Sequence, residues 1–139
     1  MTQMAFNPGL EKNQVISNSK LCSIFKCGIR GGMRRSKKTN TLVIVSDRTT
    51  DYYKDTSIDG ILHYAGMGLT GDQKLDFAQN RTLNESLTNG VKVHLFEVLS
   101  RNQYTYRGEV KLVGQPYPKS QPDYRRNNRL AWIFPVKPI

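Results

Sequence analysis

Aromatic and acidic side chains are concentrated in one stretch, residues 49–75, which reads TTDYYKDTSIDGILHYAGMGLTGDQKL. It holds three tyrosines and four aspartates around several glycines, in a chain with a formal net charge of +10. A cytosine turned out of a DNA duplex exposes two flat faces and a Watson–Crick edge. Tyrosine rings can stack on those faces, and a carboxylate can accept a hydrogen bond from the exocyclic amine. The stretch therefore has the side-chain types that a pocket for a flipped base needs.

The glycines of this stretch also allow a different interpretation. GMGLTG, residues 66–71, has the G-x-G-x-x-G spacing of a dinucleotide-binding loop and lies between a predicted strand and a predicted helix. The chain is short for a doubly wound sheet, and the motif alone is weak. We favour a tight turn in which backbone segments approach closely.

Nuclease and metal chemistry have little support. His63 and His94 are flanked by apolar residues in strand-like segments, which is typical of structural histidines. Glu109 and Lys111 match only the E-x-K element of a nuclease site. Cys22 and Cys27 lack two further ligands at a metal-site spacing, so we predict packed thiols, no metal and no cofactor.

The charge balance favours a polyanionic partner. Lys and Arg number 21 against 11 Asp and Glu, and the sequence pI is about 9.8. Basic residues cluster in RGGMRRSKK (30–38) and YRRNNR (124–129). Nucleic acid is the expected partner, because each neutralised phosphate releases counterions. No apolar run approaches the roughly 18 residues that cross a bilayer, so a soluble, cytoplasmic protein without a membrane partner is expected.

Hydrophobic spacing predicts the elements that position these residues. A helix is expected over 19–28, closed by Gly28, and a second over 72–90, capped by Asp72. Strands are expected over 40–47, 60–66, 91–100, 104–117 and 129–137, with an irregular arm or short strand in residues 1–20 and a basic turn at 118–128. Alternation within 91–100 predicts a strand buried on one face. The tally favours one α+β domain, residues 1–139: a curved mixed sheet or partial barrel with one or two helices packed outside.

Several motifs in order resemble the SRA (SET- and RING-associated, or YDG) domain. They are HYAGMGLTGDQKL with QNRTL, then NGVKVHLFEV, YTYRGEVKLV and LAWIFPV. The resemblance covers about residues 15–137 and is strongest to the bacterial versions fused to HNH nuclease domains in McrA-like restriction enzymes. It implies an SRA/PUA-like fold. It also implies binding to duplex DNA with 5-methylcytosine or 5-hydroxymethylcytosine flipped into a pocket.

The resemblance also implies roles for individual residues. Tyr52 and Tyr64 would stack on the base and Asp55 would accept from its exocyclic amine, with Tyr53 and Asp51 one register away. The other residues expected around the pocket are Ser46, Asp47, Ala65 and Gly66. The expected DNA-backbone contacts are Arg30, Arg34, Arg35, Lys37, Lys38, Arg125, Arg126 and Arg129. Asp72, Gln73 and Asn80 are expected to fix the turn instead of touching DNA.

Departures from the family pattern refine the functional prediction. Ala65 replaces the usual Thr, which predicts room for a hydroxymethyl or glycosylated cytosine. The segment after Ala65 lacks the long finger of eukaryotic members, and no HNH motif is present. We therefore expect a non-catalytic recognition domain of a modification-dependent restriction system, working with a fused or separate HNH nuclease. The alternatives are a modification-dependent nuclease in its own right and a general nucleic-acid-binding module.

Overall fold

The computed structural model describes residues 6–49 and 55–139, and these form a sheet with two helices. The helices are α1 (Asn18–Phe25) and α2 (Ala78–Asn84). The strands are β1 (Val15–Ile16), β2 (Met33–Ser36), β3 (Thr41–Asp47), β4 (Thr56–Ile58), β5 (Ile61–Ala65), β6 (Lys92–Ser100), β7 (Gln103–Leu112), β8 (Tyr117–Pro122) and β9 (Asn128–Pro138). Among them, β2 and β4 fall in segments predicted to be loops.

The sheet is mixed and open, in the order β2-β3-β6-β7-β9-β5-β4. Strand β1 adds to β7, and β8 adds to β9. The pairing of β3 with β6 is parallel and the other strand pairings of the described chain are antiparallel. This arrangement confirms the predicted α+β class and the mixed sheet.

Apolar clusters cover both faces of the central strands. One cluster contains Leu42 and Ile44 of β3 and packs against Leu83 of α2. The other contains Val43 of β3 and packs against Phe25 of α1. The two helices therefore cover opposite faces of the sheet, and β3 is buried on both, as its continuous apolar run predicts.

The prediction for β6 was wrong on one point. His94 and Phe96, expected on an exposed face, are 3% and 0% exposed. They pack in the cluster under α1, where the rings of Phe25 and His94 lie 5.1 Å apart. Burial lowers the pKa of His94 to about 4, so the imidazole is neutral at physiological pH.

Helix α1 forms where predicted, but its ends differ in detail. The Ser17 hydroxyl accepts from the Lys20 amide and caps the N-terminus. The helix ends at Phe25, because Lys26 adopts the left-handed conformation expected nearer to Gly28. Cys22 and Cys27 are free, partly buried thiols, as predicted.

The second helix is much shorter than its periodicity predicts. Residues before Ala78 bond to β9: the Gln73 amide donates to the Leu130 carbonyl, and Asp72 Oδ1 accepts from the Leu130 amide at 2.7 Å. Asp72 therefore holds the turn and does not cap the helix. These long-range bonds override the local helical pattern.

The predicted basic turn at 118–128 is mostly strand. Strand β8 occupies its first part, and the reversal is confined to residues 123–127. Asp123 Oδ1 accepts there from the Arg125 and Asn127 amides, both at 2.9 Å. Within the described residues, no helix is long and apolar enough to cross a membrane.

Candidate functional site

A cavity of about 660 Å³ opens where β5 approaches the ends of β2 and β3. Its lining comes from residues 29–34 and 64–69, together with Val45, Asp47, Asp55, Phe77 and Tyr104. The volume lies within the range typical of small-molecule sites. Predicted pocket residues Asp47, Asp55, Tyr64, Ala65 and Gly66 are thus brought together, with Ser46 directly behind Asp55. Tyr52 lies outside the described residues.

Asp55 is the buried acid of this cavity and is 6% exposed. Its Oδ2 accepts from the Ser46 hydroxyl at 2.7 Å, and its Oδ1 accepts from the Ala65 amide at 2.6 Å. The Arg48 guanidinium donates to the Asp55 carbonyl oxygen. Burial raises the pKa of Asp55 above its ordinary value, although the Ala65 and Ser46 hydrogen bonds oppose that shift.

Tyr64 forms a second connection across the cavity. It is 3% exposed, and its hydroxyl lies 2.9 Å from the Gly32 carbonyl and 3.1 Å from the Val45 carbonyl. A Cβ on Gly32 would lie 3.3 Å from this hydroxyl, so glycine allows the close approach. The ring of Tyr64 is part of the cavity wall, and its stacking role stays a prediction.

The turn after β5 is held by buried amides, as predicted. Asn80 accepts from the Met67 amide at 2.8 Å and donates to the Met67 carbonyl at 3.0 Å. Gln73 donates to the Gly66 carbonyl at 2.7 Å. The Gly66 amide donates to the Trp132 carbonyl. Because the Gly66 and Met67 amides bond within the protein, these two N–H groups are not available to a phosphate.

Two of the predicted phosphate contacts are buried. Arg34 is 5% exposed and donates to the Gly31 carbonyl and to Asn18 Oδ1. Arg129 is 4% exposed and donates to the carbonyls of Gly68 and Gly71. Because the guanidinium groups of Arg34 and Arg129 bond inside the protein, these residues do not fit the predicted role of contacting phosphates at the outer surface.

The remaining basic residues lie in two places. Arg30 is exposed and lines the cavity. Arg125 and Arg126 are exposed on the β8–β9 turn, which meets the cavity mouth where the Tyr124 amide donates to the Leu69 carbonyl. Arg35, Lys37 and Lys38 lie toward or beyond the far end of β2; Lys37 and Lys38 are about 20 Å along the strand direction from Asp47.

Sequence reasoning missed the apolar mouth of the cavity. Ile29, Leu69 and Phe77 line it and are 55%, 54% and 53% exposed. Exposed apolar groups gathered at one opening are typical of a binding surface. Their only signal in the sequence was an apolar residue in or beside a loop.

Candidate catalytic groups are not assembled around the cavity. His63 bonds to Tyr117 through Nδ1 at 2.8 Å, and His94 bonds to Tyr106 in the core. Glu109 and Lys111 are residues of β7. In the part of the chain that is described, no three His, Cys, Asp or Glu residues are grouped to hold a metal ion.

Comparison with known proteins gives a family and a set of similar structures. The family model described as "ScoMcrA-like, SRA domain" matches residues 14–139. No curated protein matches significantly.

Three solved structures illustrate the structural similarity. The sulfur-binding and SRA domains of ScoMcrA, complexed with phosphorothioated DNA, match with a TM-score of 0.76 and 17% identity over 94% of this chain and 40% of that one. The type IV phosphorothioation-dependent restriction endonuclease ScoMcrA matches with a TM-score of 0.73 and 18% identity, over 94% of this chain and 28% of that one. The SUVH5 SRA domain bound to fully hydroxymethylated CG DNA matches with a TM-score of 0.71 and 20% identity, over 99% of this chain and 95% of that one. The chain thus spans less than half of the two ScoMcrA chains.

Gly66→Ala is expected to destabilise the turn. A Cβ at this position would lie 2.5 Å from Asn80 Oδ1 and 2.9 Å from the Phe134 ring. We expect a loss of about 1–3 kcal/mol in the free energy of unfolding, measured with urea. Gly28→Ala is the matched control, because a Cβ there meets nothing within 4 Å. Equal stability of the two variants contradicts the tight packing of the turn.

Asp55→Asn is expected to fold and to lose a pH dependence. The amide keeps the side-chain shape, accepting from Ala65 and donating to Ser46. Burial raises the folded-state pKa of Asp55 above its unfolded-state pKa of about 4. Wild-type stability therefore falls as the pH rises through the interval between these two pKa values. The stability of the variant relative to wild type should grow across the interval and level off above it. Urea unfolding at several pH values measures this, and a difference independent of pH contradicts the raised pKa.

Proposed function

We propose that this chain, which belongs to the ScoMcrA-like SRA domain family, is a reader of modified cytosine in duplex DNA that binds the base flipped out of the helix. The observation that carries the proposal is the buried acceptor Asp55 inside a cavity of about 660 Å³ with an apolar mouth. The combination suits a flat, partly apolar ligand with a hydrogen-bond donor at one edge.

Asp55 has acceptor capacity left for a base. A carboxylate has about four lone-pair sites, and the Ser46 and Ala65 contacts use two of them. The exocyclic amine of cytosine donates to one of the others. Since a hydrogen bond to a charged group contributes about 1.5–3 kcal/mol, this contact offsets part of the cost of unstacking the base.

The remaining walls act on the base faces and on the opening. Tyr64, together with Tyr52, which lies outside the described residues, is proposed to stack on the base, each stack contributing about 1–3 kcal/mol. Ile29, Leu69 and Phe77 exclude water around the entering nucleotide. Ala65 keeps the wall beside Asp55 small, which leaves room for a substituent larger than methyl.

The outer arginines are proposed to hold the DNA backbone. Arg30 lines the cavity, and Arg125 and Arg126 lie on the β8–β9 turn that bonds to Leu69 of the cavity wall. All three are exposed, so they can reach phosphates on either side of a flipped nucleotide. Arg35, Lys37 and Lys38 lie farther along the surface and can contribute to a longer electrostatic footprint.

The similar structures support a modified-DNA ligand. ScoMcrA is described with phosphorothioated DNA and SUVH5 with hydroxymethylated DNA, so the modification differs between relatives. ScoMcrA is itself a type IV restriction endonuclease. We propose that this chain is a non-catalytic recognition domain that directs a fused or separate HNH nuclease in such a restriction system.

The test is a titration of matched duplexes carrying cytosine, 5-methylcytosine, 5-hydroxymethylcytosine or glucosylated hydroxymethylcytosine, with 2-aminopurine beside the target. We expect tighter binding to at least one modified duplex, with a rise in 2-aminopurine fluorescence as the base leaves the stack. Asp55→Asn replaces a carboxylate oxygen with an amide NH2 group, which faces the exocyclic amine of the base as donor to donor. This variant should lose the preference for the modified duplex. Equal affinity for all four duplexes with no fluorescence change contradicts the proposal and favours a general nucleic-acid-binding module.

Replacing both Arg125 and Arg126 with Gln should weaken binding to modified and plain duplexes alike. Phosphate contacts carry no information about the base, so the preference should persist while the slope of log K against log salt becomes shallower by about 2. Fluorescence anisotropy at several salt concentrations measures both quantities. A change in preference without a change in slope would contradict this role.

A further inference from the structure

Arg34 is a buried cation that lines the cavity and has no carboxylate partner among the described residues. It is 5% exposed. Ion pairs in the described residues join Arg48, Arg81 and Arg107 to glutamates, and none includes Arg34. Burying a charge without a counter-charge is costly, so this position needs an explanation.

Neutral groups compensate Arg34 only in part. Its Nε donates to the Gly31 carbonyl at 2.8 Å and its Nη1 to Asn18 Oδ1 at 2.6 Å, while the guanidinium carbon lies 5.6 Å from the centre of the Tyr104 ring. Nη2 makes no hydrogen bond within the described residues, which leaves two N–H donors.

The Cys27 thiol near Arg34 does not supply the missing negative charge. Cys22 Sγ lies 3.8 Å from Arg34 Nη1. Burial, and to a lesser extent the neighbouring Cys22, raise the pKa of Cys27 to about 11, against the lowering effect of Arg34. Cys27 is therefore a neutral thiol at physiological pH, and the charge of Arg34 stays available to a ligand.

Arg34 and Asp55 line the same cavity from opposite faces of the sheet. Ser46, which bonds to Asp55, lies on the same face of β3 as Ile44. Met33 of β2 pairs with Ile44 and therefore also lies on this face. Because successive side chains alternate, Arg34 lies on the opposite face, under α1. The cavity joins the two faces past Gly31 and Gly32 at the edge of the sheet.

We propose that Arg34 forms an oxyanion subsite, which binds a negatively charged oxygen group carried by the nucleotide whose base Asp55 binds. The proposal rests on the proposed function and deepens it. The group is either a phosphate of the flipped nucleotide or an acidic substituent on its ring, such as the carboxylate of 5-carboxylcytosine. Arg34 then acts on the flipped nucleotide, whereas Arg125 and Arg126 act on any duplex.

The experiment changes the DNA first, so that the protein stays wild type. Affinity is measured for the preferred modified duplex with natural phosphates and with a neutral methylphosphonate 5′ or 3′ to the modified nucleotide. A further duplex carries 5-carboxylcytosine. A loss of about tenfold at one methylphosphonate supports a phosphate ligand, and a gain of about tenfold for the carboxylated base supports an acidic substituent. No change in any duplex overturns the subsite.

Variants then assign the effect to Arg34. Arg34→Gln should remove the discrimination between charged and neutral duplexes, and Arg34→Lys should retain part of it. Arg81→Gln is the control, because it removes one charge from α2, where Arg81 pairs with Glu85. Discrimination that survives in folded Arg34→Gln overturns the proposal. If that variant does not fold, the Arg34→Lys result and the wild-type series decide.

Failure of the subsite is distinguishable from failure of the reader function. Equal wild-type affinity for plain and modified duplexes contradicts the reader function alone. The subsite is then tested with free deoxycytidine 5′- and 3′-monophosphates against deoxycytidine by NMR chemical shifts, which needs no flipping. Shifts that require both a phosphate and Arg34 support the subsite, and identical shifts for nucleoside and nucleotides overturn it.

Discussion

The buried carboxylate of Asp55 joins two strands that are not neighbours in the sheet. Its oxygens bond to Ser46 in β3 and to Ala65 in β5, and β6, β7 and β9 lie between those strands in the sheet order. The sheet must therefore curl to bring β5 against the end of β3. Tyr64 reinforces the same closure through the carbonyls of Gly32 and Val45. The cavity lies inside this curl, so its shape depends on these hydrogen bonds.

The same interaction connects structure with recognition. A carboxylate in an apolar enclosure is unfavourable, which its raised pKa reflects, and the Ser46 and Ala65 donors offset only part of that cost. A ligand amine that donates to the remaining lone pairs would relieve more of it. The neighbouring turn contrasts with this, because Asn80 and Gln73 bond to the backbone of Gly66 and Met67 and so occupy polar groups that could otherwise bind a ligand.

Arginines serve two different purposes in this chain. Arg129 is buried against the turn after β5 and holds its carbonyls in place. Arg125 and Arg126, four and three positions earlier, are exposed on the β8–β9 turn, which bonds to Leu69 of the cavity wall. The basic cluster at 124–129, predicted as one DNA-binding surface, thus contains one structural residue, Arg129, and two candidate DNA contacts. Burial decides between them, because a covered guanidinium bonded to carbonyls cannot also reach a phosphate outside.

Much of this protein follows from the sequence by itself. The apolar run of β3, the capped α1, the glycine turn and the excess of basic residues are local properties, and ordered motifs carried the SRA resemblance and with it Asp55 and Tyr64. Tertiary structure decided the rest. Long-range bonds to β9 shortened α2, packing under α1 buried the second face of β6, and Asn18 and Tyr104 covered Arg34. Each of these outcomes depends on residues distant in the chain, and local periodicity and composition contain no information about which distant residues meet.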